Sequence, residues 1–369
     1  MNFTLRAKFI KKLPETLALI IMQDLTMPNT IFETDRLYVR RFTESDEENF
    51  YLLNSDQEVM QYIRRLKNRE ESRHFLLSNI DAYAKNPMTG RWAVHEKEGD
   101  QFVGMFAIIP LENTNYWQVG YALLKDYWGK GYATELTLTG IQYAFRKMMV
   151  SKLTAVTEVS NENSRHVLLK AGFKQTKNII EDDKELYLFE IYNNAVVETK
   201  RLLIAALDNF QLNLYIGANN RLENELGLKS GDRVVSKDLQ EMIDQVTIPA
   251  MRNANEGNYY FYTIWIVIDK AQNSLVAELG FKGTPNTSGE IEIGYGTLPL
   301  FQGKGYMTEA VDGMLGWAKN FPGVRSVVAE TENTNSSSIR VLEKNGFQLV
   351  SKRGEMLIWT CRLDILIRQ

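Results

Sequence analysis

Two short stretches of this 369-residue chain have the residue types to hold a phosphate. Trp128-Gly129-Lys130-Gly131-Tyr132-Ala133-Thr134-Glu135 and Gln302-Gly303-Lys304-Gly305-Tyr306-Met307-Thr308-Glu309 each set a lysine between two glycines, ahead of a helical pattern. Glycine lets the backbone turn sharply and brings successive N–H groups up to a ligand with no Cβ in the way. A helix starting there adds unpaired N–H donors and the positive end of its dipole, which favour a phosphate or pyrophosphate. A tight strand-to-helix turn with no ligand would read the same locally. Two other phosphate-binding signatures are excluded. A dinucleotide fingerprint needs a third glycine where Thr134 and Thr308 stand, and no acidic residue lies ~20 residues beyond Gly131 in a following strand. A Walker loop needs Ser or Thr after Gly-Lys, and here Gly131 and Gly305 follow.

The two stretches belong to a longer repeat. Gly120-Tyr121 precedes the first and Gly294-Tyr295 the second. Asn161-Glu162-Asn163-Ser164 and Lys170-Ala171-Gly172-Phe173 follow the first, matched by Asn335-Ser336-Ser337-Ser338 and Lys344-Asn345-Gly346-Phe347. All these pairs keep one offset of 174 residues, whereas Glu33-Thr34-Asp35-Arg36-Leu37 matches Glu198-Thr199-Lys200-Arg201-Leu202 at 165. The second copy therefore carries nine extra residues between its start and its glycine turn. The chain divides into an N-terminal extension (residues 1–30), one domain over 31–194 and its copy over 195–369.

The elements that must position the turns form a mixed α/β pattern. In the first copy, strands are expected at 37–42, 92–94, 102–109, 116–124, 153–159 and 186–192, from their β-branched and aromatic residues. Thr43 and Asp46 have the spacing of a helix cap ahead of Phe50, and helices are expected from Gly131 and over 164–170. The second copy repeats this with strands at 261–268, 275–281, 291–297, 327–331 and 356–363, and helices from Gly305 and Ser338.

Composition excludes several classes of function. The chain is 44% hydrophobic, 24% charged and 11% aromatic, which is globular. Basic residues number 43 against 46 acidic ones, and up to Asn194 the split is 25 to 26, so neither half has the basic footprint of a nucleic-acid binder. A lone cysteine, Cys361, rules out an internal disulfide, and three histidines (His74, His95, His166) leave little for a metal. The apolar run at 17–22, after Arg6, Lys8, Lys11 and Lys12, is too short for a signal h-region or a membrane span. An amphipathic extension or a loosely ordered tail, a cytoplasmic location and no membrane partner are expected.

With these residues in view, the Gln302–Met307 stretch resembles the pyrophosphate-binding Gln/Arg-x-x-Gly-x-Gly/Ala signature of the GNAT superfamily of acetyl-CoA-dependent N-acetyltransferases. The Asn-x-x-Ser and Lys-x-Gly-Phe stretches resemble the branch of ribosomal-protein alanine N-acetyltransferases (RimJ/RimL type). The resemblance covers nearly all of the chain beyond residue 30. It implies two tandem GNAT domains, acetyl-CoA as cosubstrate, no metal, and an amine acceptor, a protein N-terminus or a small molecule. It also implies that Gly129, Lys130, Gly131, Tyr132, Ala133 and Thr134 hold one coenzyme. Gln302, Gly303, Lys304, Gly305, Tyr306, Met307 and Thr308 would hold another. Trp128 stands where the signature has Gln or Arg, which removes a polar side chain, and Met307 stands where it has a small residue.

The implied chemistry is direct attack of a neutral amine on the thioester. The oxyanion donor in this fold is a backbone N–H of the strand before the turn, here around Leu123 or Leu298. Glu292 resembles the strand glutamate that serves as general base; Gln118 at the matched place cannot, and Glu158 and Glu332 are the next carboxylates. Leu168 and Leu342 occupy the place where many members carry a proton-donating tyrosine, so Ser164 and Ser338 are the hydroxyls for the leaving thiolate, or else helix caps. Asn161 and Asn335 are expected to bond the pantetheine or the adjoining loop. The second copy is the expected active domain, and the alternative is that one or both copies are acetyl-CoA-binding or scaffold modules. The basic run Arg64-Arg65-Leu66-Lys67-Asn68-Arg69 is read as a solvated face rather than an anion-selecting rim, and His95 as structural.

Overall fold

The computed structural model describes residues 29–112, 114–181, 184–254 and 258–363. The expected amphipathic extension lies almost wholly outside them. The chain forms two compact units, one running to Met148 and including Lys152–Tyr192, the other built from Met149–Ser151 and Asn193 onward.

The first unit is one eight-stranded sheet: β1 (Thr30–Glu33), β2 (Leu37–Arg41), β3 (Gly90–Glu96), β4 (Phe102–Pro110), β5 (Trp117–Leu123), β6 (Lys152–Glu158), β7 (Lys174–Glu181) and β8 (Lys184–Tyr192). Their order is β1-β2-β3-β4-β5-β6-β8-β7. Every neighbouring pair is antiparallel except β5 and β6. A parallel pair needs a crossover, and helix α4 (Tyr132–Arg146) supplies it. Its buried residues Tyr132, Leu136, Gly140, Ile141 and Ala144 recur at helical spacing, so one stripe packs on the sheet. Helices α1 (Glu47–Ser55), α2 (Gln57–Met60) and α3 (Arg69–Lys85) lie between β2 and β3, and α5 (Glu162–Lys170) follows β6. The Thr43–Asp46 pair does form a capping box, but it caps a 3₁₀ turn (Glu44–Asp46) that leads into α1.

The second unit repeats the topology with β9 (Val196–Glu198), β10 (Leu202–Ala206), β11 (Ile264–Asp269), β12 (Ser274–Phe281), β13 (Glu290–Thr297), β14 (Ser326–Glu332), β15 (Gln348–Arg353) and β16 (Met356–Arg362). Their order is β9-β10-β11-β12-β13-β14-β16-β15, with β13 and β14 again the parallel pair. The crossover helix is α10 (Tyr306–Ala318), and α11 (Ser336–Lys344) matches α5. Between β10 and β11 the chain breaks into α6 (Asn209–Ile216), α7 (Arg221–Glu225), α8 (Lys237–Met242), a π-helical turn and α9 (Ile248–Asn253). There are 48 residues between β2 and β3 and 57 between β10 and β11, so the surplus of nine sits wholly in this helical segment. The expected strand at 261–268 starts later, because Tyr259–Phe261 closes a 3₁₀ turn first. Among the described residues no helix is long and apolar enough to cross a membrane.

Candidate functional site

Both glycine turns have the same backbone. Gly129 and Gly131 sit at φ 75° and 81°, Gly303 and Gly305 at 73° and 77°, all in the left-handed region. Gly131 and Gly305 are the N-cap positions of α4 and α10, and no side chain caps either helix among the described residues. The first intrahelical bonds come from Glu135 N to Gly131 O and from Glu309 N to Gly305 O. The preceding N–H groups are left for another acceptor. A Cβ on Gly129 or Gly303 would meet nothing within 4 Å, so the space in front of the turn is open. Met307 is buried in the core, so its bulk is turned away from that space. The Tyr132 and Tyr306 side chains also point inward, their hydroxyls donating to Glu96 and Asp269 at 2.5 Å.

A second device braces each turn, and sequence reasoning gave it no role. Glu135, in the first turn of α4, accepts from the Thr34 hydroxyl, from Arg36 N (3.0 Å) and from the Arg36 guanidinium (2.6 Å). Glu309 accepts likewise from Thr199 (2.7 Å), Arg201 N (2.7 Å) and Arg201 Nε (2.6 Å). Burial pushes both carboxyls up, but these bonds outweigh it and hold each below the usual carboxylate range. Each guanidinium ends 3.6 Å from where a Cβ on Gly131 or Gly305 would lie, which puts a cation beside the open N–H groups. The signal was present as the matched Thr-x-Arg-Leu and the glutamate four residues after each second glycine.

Beside each turn the sheet opens into a wedge. β5 pairs with β6 only at Trp117 and Gln118, and β13 with β14 only through Glu292, although the strands run on to Leu123 and Thr297. Leu124 N bonds Val103 O (2.9 Å), which fixes the alternation along β5. Leu123 therefore turns its N–H and C=O into the wedge. Leu298 does not: its N–H bonds Val276 O at 3.0 Å. Leu298 corresponds to Leu124, and Thr297 is the residue whose backbone faces the second wedge. Trp128, in the place of the signature's Gln or Arg, keeps one backbone contact of that position. Its indole N–H donates to Leu123 O at 2.7 Å, as the Gln302 amide does to Thr297 O at 3.4 Å.

On the far side of the wedge Asn161 and Asn335, not the serines, cap the helices α5 and α11, accepting from Ser164 N (3.1 Å) and Ser338 N (3.0 Å). This frees each serine hydroxyl, which meets a tyrosine on the strand before the turn. Tyr121 Oη lies 3.2 Å from Ser164 Oγ, and Tyr295 Oη 2.9 Å from Ser338 Oγ. Burial pushes the Tyr121 hydroxyl up to about 12 and raises Tyr295 as well, so both keep their protons at neutral pH. Neither tyrosine was assigned a role from sequence, though both stood in the repeated Gly-Tyr pair.

The sheet face that carries Gln118 in one unit and Glu292 in the other differs between them. Glu292 is half-buried and paired with Lys282. Glu278, opposite Gly296 on the same face, accepts from the Tyr215 hydroxyl. Burial and Glu278 together raise that phenol well above its usual value. Arg233 stacks 4.2 Å over the Tyr215 ring and is locked to Glu223 at 2.9 Å, with both side chains nearly inaccessible. In the first unit the matching pair is Met105 and Ala122, both buried. Of the alternative carboxylates, Glu158 is paired with Lys184, as Glu292 is with Lys282, and Glu332 is exposed. His95 lies within β3 with its Nε2 2.8 Å from Arg40 Nη2, and burial lowers its ring below the usual imidazole value.

The acetyltransferase (GNAT) domain model matches this chain twice, over residues 36–174 and 232–348. The chain belongs to the GNAT acetyltransferase family. It is 30% identical over 165 residues to an uncharacterized N-acetyltransferase of Bacillus subtilis, YjdG, covering 96% of that protein and 44% of this one. It is 28% identical over 160 residues to a second B. subtilis protein, YkkB, covering 92% of it and 42% of this chain. A solved GNAT-family acetyltransferase from Bacillus anthracis aligns at 23% identity with a TM-score of 0.39, covering 96% of that chain and 43% of this one. YjdG and YkkB each align nearly end to end with less than half of this GNAT chain, as a tandem architecture requires.

Proposed function

We propose that this protein is an acetyl-CoA-dependent N-acetyltransferase in which each unit holds a coenzyme at its glycine turn and the second unit acetylates a cationic amine. The observation that carries the reading is the uncapped helix N-terminus behind an open Gly-Lys-Gly cradle, with an arginine beside it, at the mouth of a wedge of unpaired strand backbone. The N–H groups of residues 129–134 and 303–308 suit a pyrophosphate, and the lysines and arginines add charge. The unpaired backbone of β5 and β13 suits the amide groups of a pantetheine arm, which would lie in the wedge like a short strand.

In the second unit the amine nitrogen attacks the thioester carbonyl carbon while the Thr297 N–H meets the developing oxyanion. Glu292 takes the proton that the nitrogen loses, and Glu278 holds the cationic substrate on the same face. As the C–S bond breaks, the thiolate takes its proton from Ser338, which takes one from Tyr295; solvent then returns a proton to Tyr295 and removes the one held by Glu292. An alkyl amine with pKa near 10.4 is neutral about once in 2,500 molecules at pH 7, so a carboxylate base matters there. An α-amine with pKa ~8 is about one-tenth neutral and needs it less. The first unit, with Gln118 for Glu292, suits the second kind of acceptor. The proposed setting is the cytoplasm, where the free buried thiol of Cys361 stays reduced.

The test is steady-state transfer from acetyl-CoA to 1,3-diaminopropane, followed by release of free thiol. Transfer that survives in Gly131→Val and is lost in Gly305→Val supports the assignment. Transfer lost only in Gly131→Val would reverse the roles of the units.

A further inference from the structure

The basic run of the first unit does not form a uniform solvated face. It divides. Arg65 points out to Glu71 at 2.8 Å and Arg69 to Glu48 at 2.6 Å, ordinary surface pairs. Arg64 and Lys67 instead turn inward against Phe75 of α3, with the Arg64 guanidinium carbon and Lys67 Nζ each 5.0 Å from the ring centroid. Arg91, from β3, comes to the same ring at 5.3 Å. Three cations thus surround one phenyl group. All three are half-buried, and none has a carboxylate within ion-pair distance among the described residues.

Such an arrangement is costly without a ligand. Burying guanidinium groups removes hydration, and nothing of opposite charge replaces it. Cation–π attraction to Phe75 recovers only part of this, ~0.5–2 kcal/mol per contact. The cost is visible on Arg64, whose guanidinium is pushed down to about 10 by burial and by the neighbouring charge of Arg91. Burial lowers Arg91 too.

The position matters as much as the charge. Arg91 lies opposite Ala107, and Ala107 opposite Gly120. Residues directly opposite share a sheet face, so Arg91 is on the face that carries Gly120 and Gln118. A Cβ on Gly120 would meet nothing within 4 Å. The cations therefore line the side of the sheet from which an acceptor reaches the wedge.

We propose that Arg64, Lys67 and Arg91, gathered around Phe75, form an oxyanion-binding subsite in the acceptor cleft of the first unit, so that this unit takes an amine bearing a carboxylate or phosphate group. The assignment rests on the acetyltransferase reading for the location of the cleft, and on the unpaired cations for the chemistry. A guanidinium pair presents fork-shaped donors that match two oxygens of either group. The anion would replace the missing carboxylate and hold the amine a short chain away, near Gln118.

Calorimetric titration of the full chain with three amines of matched length tests this: ethanolamine, β-alanine and O-phosphoethanolamine. At least one of the two anionic amines is expected to bind tenfold or more tightly than ethanolamine, and whichever binds better identifies the oxyanion. Arg64→Gln and Arg91→Gln should each remove most of that preference, while Arg64→Lys and Arg91→Lys retain part of it. Melting temperatures of Arg64→Gln and Arg91→Gln at or above that of the parent would show that the loss is not unfolding. Equal binding of all three amines, or a preference that survives both glutamine variants, would overturn the subsite. Acetyl-CoA titrations run alongside separate the two ideas: coenzyme binding without anion preference rejects only the subsite, and anion preference without coenzyme binding rejects only the acetyltransferase reading.

Discussion

The two units share topology, turn, brace and Tyr–Ser pair, yet the matching sheet faces carry different charged residues. The first sets Gln118, Met105 and Ala122 beside inward-facing Arg64, Lys67 and Arg91. The second sets Glu292 and Glu278 around Gly294 and Gly296, where a Cβ would meet open space. What is repeated is the glycine turn with its brace and Tyr–Ser pair, and what diverges is the sheet face beside it. On the function proposed above, the difference teaches that the repeat keeps the coenzyme turn and varies the surface offered to an amine.

The largest effect should come from the group that one face has and the other lacks. Glu292→Gln recreates Gln118 in the second unit, and kcat with 1,3-diaminopropane at pH 7 should fall ~10²–10⁴-fold with little change in acetyl-CoA affinity. The loss should shrink as pH rises towards 10, where the amine is already neutral. Full activity of the variant at pH 7 would move the base to another carboxylate. Next in size, Glu278→Gln should raise KM for the diamine about tenfold and change kcat less, because it removes a cation partner rather than a proton acceptor. An unchanged KM would leave the acidic character of this cleft to Glu292 alone.

Features common to both units should give smaller and parallel effects. Ser338→Ala should slow transfer about tenfold, and Tyr295→Phe a few-fold, since the phenol acts through the serine. A tyrosine variant slower than the serine variant would place the phenol in direct contact with the leaving sulfur. Smallest of all, Glu135→Gln and Glu309→Gln should each lower Tm by a few degrees. The sign of the pH dependence follows from their depressed folded values. The contribution is present above the unfolded carboxyl value of ~4.3 and lost as pH falls through the lower folded one. The variants should therefore lose less stability than the parent on acidification, and equal acid sensitivity would remove the brace from the account.

Much of this was legible in the sequence because it was written twice. The glycine turns, the crossover helices and the Asn-x-x-Ser helix starts stand at one offset, and each is a local feature with its own backbone requirement. The helix α3 was harder to read, since its buried residues are Ser72, Leu76, Asn79 and Tyr83, a stripe only half apolar. The edge strand β15 is exposed along its whole length, so no alternation marks it. At the site, Leu298 was misplaced because sequence spacing does not tell which N–H of a strand faces its neighbour; that depends on ladder register, seen at Leu298 N to Val276 O. The roles of Tyr121, Tyr295, Arg36 and Arg201 depend on contacts between distant segments. So does the inward turn of Arg64, which meets Arg91 27 residues later across Phe75.

The central claim is that the two glycine turns are two independent coenzyme sites. Isothermal titration of the full chain with acetyl-CoA measures it directly. Two sites per chain are predicted, with Gly131→Val and Gly305→Val each abolishing one and leaving the other's affinity within a few-fold. A stoichiometry that stays the same in both variants, or no binding to the parent chain, would contradict it.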